Sequence, residues 1–248
     1  MDNILNIYIG FDSSNYGQQL AYDICKRSIL VNSNSNITIH MLNKSQLEKS
    51  GIFHRQDNSG STEFTYTRFL APYLNNYSGY ALFCDSDFLW NCDLIELLNY
   101  IRNTNYAVMC VQHDYSNCPS KTKMDGQVQE YYPRKNWSSL MLFNCSHPST
   151  KNLTIDAVNT QSPAWLHRMN WCKDEEIGDL PLEYNYLVGY YHKIPRPKAI
   201  HYTDGGPWYI DYQNVDYAED WLKYLSVDEK EKLMEYYQQQ KNDTDLKL

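Results

Sequence analysis

Tyr80-Ala81-Leu82-Phe83-Cys84-Asp85-Ser86-Asp87-Phe88-Leu89-Trp90 is an apolar run of strand type with two carboxylates spaced i and i+2. On an extended strand such residues share one side, so Asp85 and Asp87 are expected to face a common point. Two neighbouring carboxylates repel unless a proton or a cation lies between them. A divalent ion with oxygen ligands is the natural partner. The plainer reading is a strand that ends in a polar turn. Asp-x-Asp arises often by chance, so the case depends on the flanking segments.

Upstream, Ile4 to Ile9 reads as a strand that ends at Gly10-Phe11-Asp12. A turn with Asn15 and Gly17 follows, then a helix from about Gln18 to Val31 with Leu20, Ile24, Ile29 and Leu30 as its apolar positions, and a second strand over Ile37 to Leu42. This β-α-β opening implies parallel strands in an α/β sheet, where ligands sit at the carboxyl ends of the strands. Gly10 and Asp12 lie at one such end, Asp85 and Asp87 at another. Alone, Asp12 reads as a helix cap or turn residue. Ser61-Thr62-Glu63 is expected to start a helix running to Tyr73 that carries Arg68. An arginine on an apolar face calls for a fixed anionic partner, and a structural salt bridge is its bland explanation.

Downstream, Asp93 to Ile101 reads as an amphipathic helix, and Tyr106 to Gln112 as a strand. A loop of about twenty residues follows; loops of that length within a domain are usually functional or mobile. It closes on Arg134-Lys135-Asn136-Trp137-Ser138-Ser139 before a strand over Leu140 to Phe143. Leu153 to Val158 and Ala164 to Trp171 read as helical, Asp179 to Asn185 as a polar-aromatic turn, and Lys198 to His201 as a late strand. His201-Tyr202-Thr203-Asp204-Gly205-Gly206-Pro207-Trp208 then offers an imidazole and exposed backbone N–H groups, which suit phosphate oxygens. An ordinary Gly-Gly-Pro turn beside a surface histidine is the alternative. Two amphipathic helices, Val215–Tyr224 and Asp228–Gln239, complete the chain.

At 248 residues one large domain is favoured, with no need of staples to fold. The seven cysteines include no C-x-x-C pair and read as reduced packing residues of a cytoplasmic protein. No signal peptide and no membrane span are evident. The net charge of -8 argues against broad binding to a nucleic-acid backbone. The 23 tyrosines and 6 tryptophans can stack on sugars or bases, although packing is their default use.

Taken in order, Ile7–Asp12, Tyr66–Leu74, Leu82–Asp87, Tyr132–Asn144, Leu180–Asn185 and Ile200–Trp208 resemble a GT-A glycosyltransferase, similar to family eight and its phage, viral and bacterial relatives. The resemblance spans the chain to about residue 210. It implies a single GT-A, Rossmann-like α/β domain over residues 1–210, with a mainly parallel central sheet flanked by helices. A C-terminal helical extension, residues 211–248, would pack on the same domain. It also implies a UDP-sugar donor with Mn2+ or Mg2+, the ion held by Asp85, Asp87 and His201. Gly10, Phe11 and Asp12 would hold the base and ribose, with Ser86 at the ribose and Arg68 at the phosphate or sugar. Asn136, Ser138, Glu183 and Asn185 would line the sugar pocket. Gly205 and Gly206 would let the diphosphate approach the backbone. The family carries a lysine before Pro-Trp where this chain has Gly206, so Lys198, Lys135 and Arg134 are candidates for the missing cation.

Family-eight enzymes retain anomeric configuration, so retention is expected, with Glu183 stabilising the sugar cation or orienting the acceptor and Asp179 competing for that role. If the reaction inverts, Glu183 becomes the leading base. The acceptor would be a glycan, a protein or a small molecule. Two other classes stay open. A non-catalytic protein of the same fold would only bind sugar nucleotide or glycan. A haloacid-dehalogenase-type phosphatase also uses Asp-x-Asp after an apolar strand, with the first aspartate as nucleophile.

Overall fold

The computed structural model describes residues 4–33, 36–57, 60–114 and 133–245. Most of the long loop expected after Gln112 lies outside those residues. The elements in chain order are β1 (Leu5–Phe11), α1 (Tyr16–Asn32), β2 (Ile37–Asn43), α2 (Lys44–Lys49), α3 (Ala71–Leu74), β3 (Tyr80–Cys84), β4 (Phe88–Trp90), α4 (Leu98–Ile101), β5 (Val108–Cys110), β6 (Leu140–Asn144), α5 (Ile155–Thr160), α6 (Pro163–His167), β7 (Ile177–Asp179), β8 (Tyr186–Leu187), β9 (Ala199–His201), α7 (Ala218–Leu222) and α8 (Val227–Asp245), with short 3-10 turns between them.

Six strands form the central sheet in the order β2-β1-β3-β6-β5-β7. Pairings β1–β2, β1–β3 and β5–β7 are parallel, whereas β6 runs antiparallel to both β3 and β5. All strands but β6 therefore point the same way. The expected mainly parallel α/β sheet flanked by helices is present.

Strand alternation splits the core. Tyr8, Phe83, Met141 and Phe143 pack on one side with Phe69, Leu70, Leu153, Leu166 and Trp171. Ile7, Ile9, Leu82, Cys84, Leu140 and Leu142 pack on the other with Tyr22, Cys25, Ile29, Leu94 and Leu97. Burial on both faces is why β1 and β3 read as continuous apolar runs.

A second sheet, β4-β9-β8, lies beyond β3. The Tyr80–Trp90 stretch is thus two strands rather than one. Asp85 still donates its N–H to the Ser139 carbonyl, 2.9 Å, at the margin of the central sheet, while the Asp87 carbonyl already accepts from Tyr202 N–H, 3.0 Å, beside the second. Asp85-Ser86-Asp87 is the corner where the chain changes sheets.

Other boundaries shift for similar reasons. Residues 61–66 form turns, followed by a 3-10 segment Thr67–Leu70 and the single-turn α3, in place of one helix from Ser61 to Tyr73. Glu63 leaves the helical path to accept from Ser13 N–H at 2.9 Å. The Tyr106–Gln112 strand shortens to Val108–Cys110. Two short strands, β7 and β8, flank the Leu182–Tyr184 turn where one polar-aromatic turn was expected. Gly17 belongs to α1, which Asn15 caps by accepting from Gln18 N–H at 3.0 Å.

The C-terminal helices close over α1 and the small sheet. Leu233 and Tyr237 of α8 and Trp221 of α7 share a core with Leu20, Ile24, Tyr202 and Trp208. No helix among the described residues is long and apolar enough to cross a membrane. The described cysteines Cys25, Cys84, Cys92, Cys110, Cys145 and Cys172 are free thiols.

Candidate active site

The sheet corner and the end of β9 meet at one point. Asp85, Asp87 and His201 each offer a ligand atom, and these atoms lie within 4.8 Å of one another. β4 pairs antiparallel with β9, placing Phe88 opposite His201. The Phe88 ring stacks on the imidazole with centroids 4.4 Å apart, and His201 Nε2 is 3.3 Å from Asp87 Oδ1.

Arg68 forms the other side of the cluster, with Nη1 2.9 Å from Asp85 Oδ1 and donating to the Ser138 carbonyl at 2.9 Å. Its guanidinium lies over the Phe83 ring, 5.0 Å from the centroid. The anionic partner that an arginine on an apolar face requires is Asp85. Burial pushes the Asp85 carboxyl up to about 7, with Asp87 adding repulsion and Arg68 and His201 opposing. Asp85 Oδ1 is engaged by the Arg68 ion pair, whereas the buried Asp87 Oδ1 accepts no hydrogen bond. Two carboxylates and an imidazole gathered this closely, with one buried carboxylate oxygen left without a hydrogen bond, fit a divalent cation in chemistry.

Behind His201 the polar groups are fully paired. Nδ1 contacts Asn185 Oδ1 at 2.8 Å. Asn185 Nδ2 donates to Ser139 Oγ at 2.9 Å, and that hydroxyl donates to the Asn136 carbonyl at 2.7 Å.

A cleft of about 460 Å3 opens over the cluster, lined by Arg68, Asp85, Asp87, Lys135, Asn136, Ser138, His167, Arg168, Asp204 and neighbours. His167 contacts the Ser138 hydroxyl through Nδ1 at 2.9 Å. Burial, with Arg68 and Arg55 nearby, pushes its imidazole down to about 3, so it lines the cleft as a neutral ring. Gly60, Ser61, Thr62 and Tyr66 border both this cleft and an adjoining one of about 370 Å3 that reaches Asp12, Lys44 and Phe53.

The residues singled out in the sequence fall into several groups. Arg68, Asn136 and Ser138 border the main cleft with the aspartate pair, and His201 is buried behind it. Asp12 lines the adjoining lobe, where its carboxylate accepts from Ser14 and Glu63 N–H groups at 2.9 and 3.2 Å. Phe11 packs edge-on against Tyr22. Ser86 and Asn185 are buried, Asn185 completely.

The glycines have internal reasons for their identity. A Cβ at Gly10 would stand 2.5 Å from the Phe64 ring, and one at Gly206 would stand 2.2 Å from the Trp208 ring. Gly205 has φ +133°, a backbone region that side chains rarely adopt.

Glu183 and Asp179 are not among the residues lining either cleft. The Glu183 charge is felt by Lys198, whose own partner is Glu96 at 2.6 Å. Asp179 Oδ1 accepts from Gln112 N–H at 3.0 Å. Of the three candidate cations, Arg134 is held by the Arg168 carbonyl and by Asp174, and Lys198 by Glu96, while Lys135 borders the cleft. Tyr66, His167, Arg168 and Asp204 were not selected from sequence. Only Asp204 had a local signal, its place beside Gly205-Gly206.

The chain is 44% identical over 231 residues to Protein CDI of Arabidopsis thaliana, covering 91% of this chain and 87% of that protein. This chain belongs to the Protein CDI family. No protein-family model matches it.

Among solved structures, the CDI-family chain is similar to the bifunctional glycosyltransferase WbbM, at 19% identity and TM-score 0.66 over 97% of this chain and 52% of that one. It is also similar to the glycosyltransferase GlyE of Streptococcus pneumoniae TIGR4, at 14% and 0.60 over 96% and 64%. A third similarity is to the galactosyltransferase LgtC in complex with donor and acceptor sugar analogues, at 15% and 0.52 over 88% and 94%. The chain thus spans about half of WbbM and under two thirds of GlyE. At these identities the likeness establishes the fold, which is that of GT-A glycosyltransferases.

Proposed function

We propose that this CDI-family chain is a metal-dependent glycosyltransferase that moves a hexose from a UDP-sugar to an acceptor hydroxyl, with retention as in family eight. The observation that carries the reading is the Asp85–Asp87–His201 cluster, its ligand atoms within 4.8 Å of one another, at a cleft on a GT-A fold. LgtC, of similar fold, has been solved with donor and acceptor sugar analogues, which supports a two-substrate cleft. Asp85, Asp87 and His201 would hold Mn2+ or Mg2+. The bound ion would supply Lewis-acid charge at the diphosphate leaving group.

The chain's own side chains have separable tasks. Lys135 borders the cleft beside the aspartates and supplies the cation that Gly206 cannot. Arg68 is fixed by Asp85 and the Ser138 carbonyl, which holds its charge toward the cleft without a search through rotamers. The lobe that Asp12, Lys44 and Phe53 line, joined to the main cleft at Tyr66, suits the nucleoside. Three basic and three acidic side chains line the main cleft, so a divalent ion and a diphosphate would enter a lining already close to neutral. Glu183 and Asp179 remain the carboxylates assigned to the acceptor side, to be tested as Gln and Asn variants.

The test is release of UDP from a panel of UDP-sugars with Mn2+, run beside a thermal-shift series. A transferase releases UDP, faster with its acceptor, and is stabilised by donor and Mn2+ together. Stabilisation without release would point to the binding protein. Phosphate release from a generic phosphomonoester, with indifference to UDP-sugars, would point to the phosphatase. The anomeric configuration of the product decides retention.

A further inference from the structure

Asn185 stands apart from the sugar-pocket role that the family resemblance implies for it, because its side chain has no exposed surface and both ends of its amide are engaged. We infer that Asn185 is a positioning residue of the metal centre, holding His201 in the Nδ1–H tautomer so that Nε2 keeps its lone pair toward Asp85 and Asp87. The inference rests on reading those three side chains as a cation site.

The direction of each hydrogen bond follows from the one before it. A carbonyl only accepts, so the 2.7 Å contact from Ser139 Oγ to the Asn136 carbonyl uses the single hydroxyl proton. Ser139 Oγ therefore meets Asn185 as an acceptor, at 2.9 Å, and the group facing it is the amide NH2. The amide oxygen then faces His201 Nδ1 at 2.8 Å and can only accept, which places the proton on Nδ1. A neutral imidazole has one N–H, so Nε2 is left as the ligand atom.

One further observation agrees. Phe88 stacked on the ring restricts its rotation.

The relay ends on Asn136, beside Lys135. Arg134 and Asn136 both adopt left-handed backbone, φ +63° and +61°. The turn that presents Lys135 to the cleft is the same one whose carbonyl orients the His201 relay. Withdrawing that carbonyl would free the Ser139 proton for Asn185 and let the amide reverse.

Long-range 1H–15N NMR of the imidazoles in metal-free protein at pH 8, assigned with His201→Gln, reads the tautomer without any need for activity. An Nδ1–H pattern is expected; an Nε2–H pattern overturns the inference. Mn2+ titration followed by EPR of the free ion gives the second readout. Asn185→Asp keeps an acceptor on Nδ1 and should bind within about threefold of the unmodified protein, whereas Asn185→Leu should bind roughly 10–100-fold more weakly.

Equal affinity in the Leu variant, or no Mn2+ binding at all, also overturns it. Should Asn185→Leu fail to fold by circular dichroism, Ser139→Ala replaces it, and an unchanged tautomer with unchanged affinity counts against the relay. A protein that shows these Mn2+ and tautomer patterns yet moves no sugar would sink the transferase reading and leave the Asn185 assignment standing.

Discussion

Asp87 acts twice at the sheet corner, with its carbonyl accepting from Tyr202 N–H and its carboxylate facing His201. Only the carboxylate changes in Asp87→Asn. That variant should keep its fold and lose transfer by roughly 100-fold or more, since even partners of metal ligands are worth 10–100-fold. Its melting temperature should no longer rise with Mn2+. Near-normal turnover of Asp87→Asn in chelator-treated buffer would remove the metal from the mechanism. Lys135→Met tests the substitute cation. Loss of a charged hydrogen bond of about 1.5–3 kcal/mol should lower kcat/KM for the donor roughly 10–100-fold, and Lys135→Arg should restore part of it. An unchanged kcat/KM would assign Lys135 to structure alone.

Among the elements, α1 is held at both ends of its role. Its N-cap Asn15 accepts from Gln18 N–H at 3.0 Å and from the Tyr236 hydroxyl of α8 at 3.0 Å. The Asn43 cap of α2 accepts only from Gln46 N–H, at 3.0 Å, among its described contacts. Removing a cap costs about 1 kcal/mol. Asn43→Ala should therefore lose about that much in urea unfolding, and Asn15→Ala more, because it also frees α8. Equal losses would show that the tie to α8 adds no stability. The β3–β4 corner shows why elements misread from sequence can still deliver a site: the carboxylates converge through a turn between two sheets, where a single strand was expected.

For the whole molecule, the C-terminal helices are fastened to α1 by Arg27, which pairs with Glu229 at 2.7 Å and bonds the Tyr224 carbonyl. The hydrogen bond from Arg27, opposed by partial burial and helped by Ser226, holds the Glu229 carboxyl down at about 2, below its ordinary 4.5. A depressed carboxyl stabilises the fold fully above its ordinary value, and that contribution fades as pH falls from about 4.5 toward 2. Thermal melts over this window should show a loss that Glu229→Gln lacks, its melting temperature being lower at neutral pH and flatter in acid. Parallel curves for the two proteins would contradict the linkage.

The sequence by itself determined the fold class and pointed to Asp85, Asp87 and His201 as side chains that converge, as the structure shows them doing. Alternating and continuous apolar runs specify strands wherever the residues sit, and Asp85, Asp87 and His201 carry chemistry that few other side chains share. It misplaced what depends on neighbours distant in the chain. The break at Ser86 exists because Ser139 and Tyr202 claim the backbone on either side of it. His167 and Arg168 reach the cleft from a helix whose pattern speaks only of packing. Asn185 changed from a sugar contact to a partner of His201 because only the tertiary structure sets the β8–β9 pairing beside Ser139. A hydrogen-bond partner is fixed by position in space, and the local pattern of residues carries no record of it.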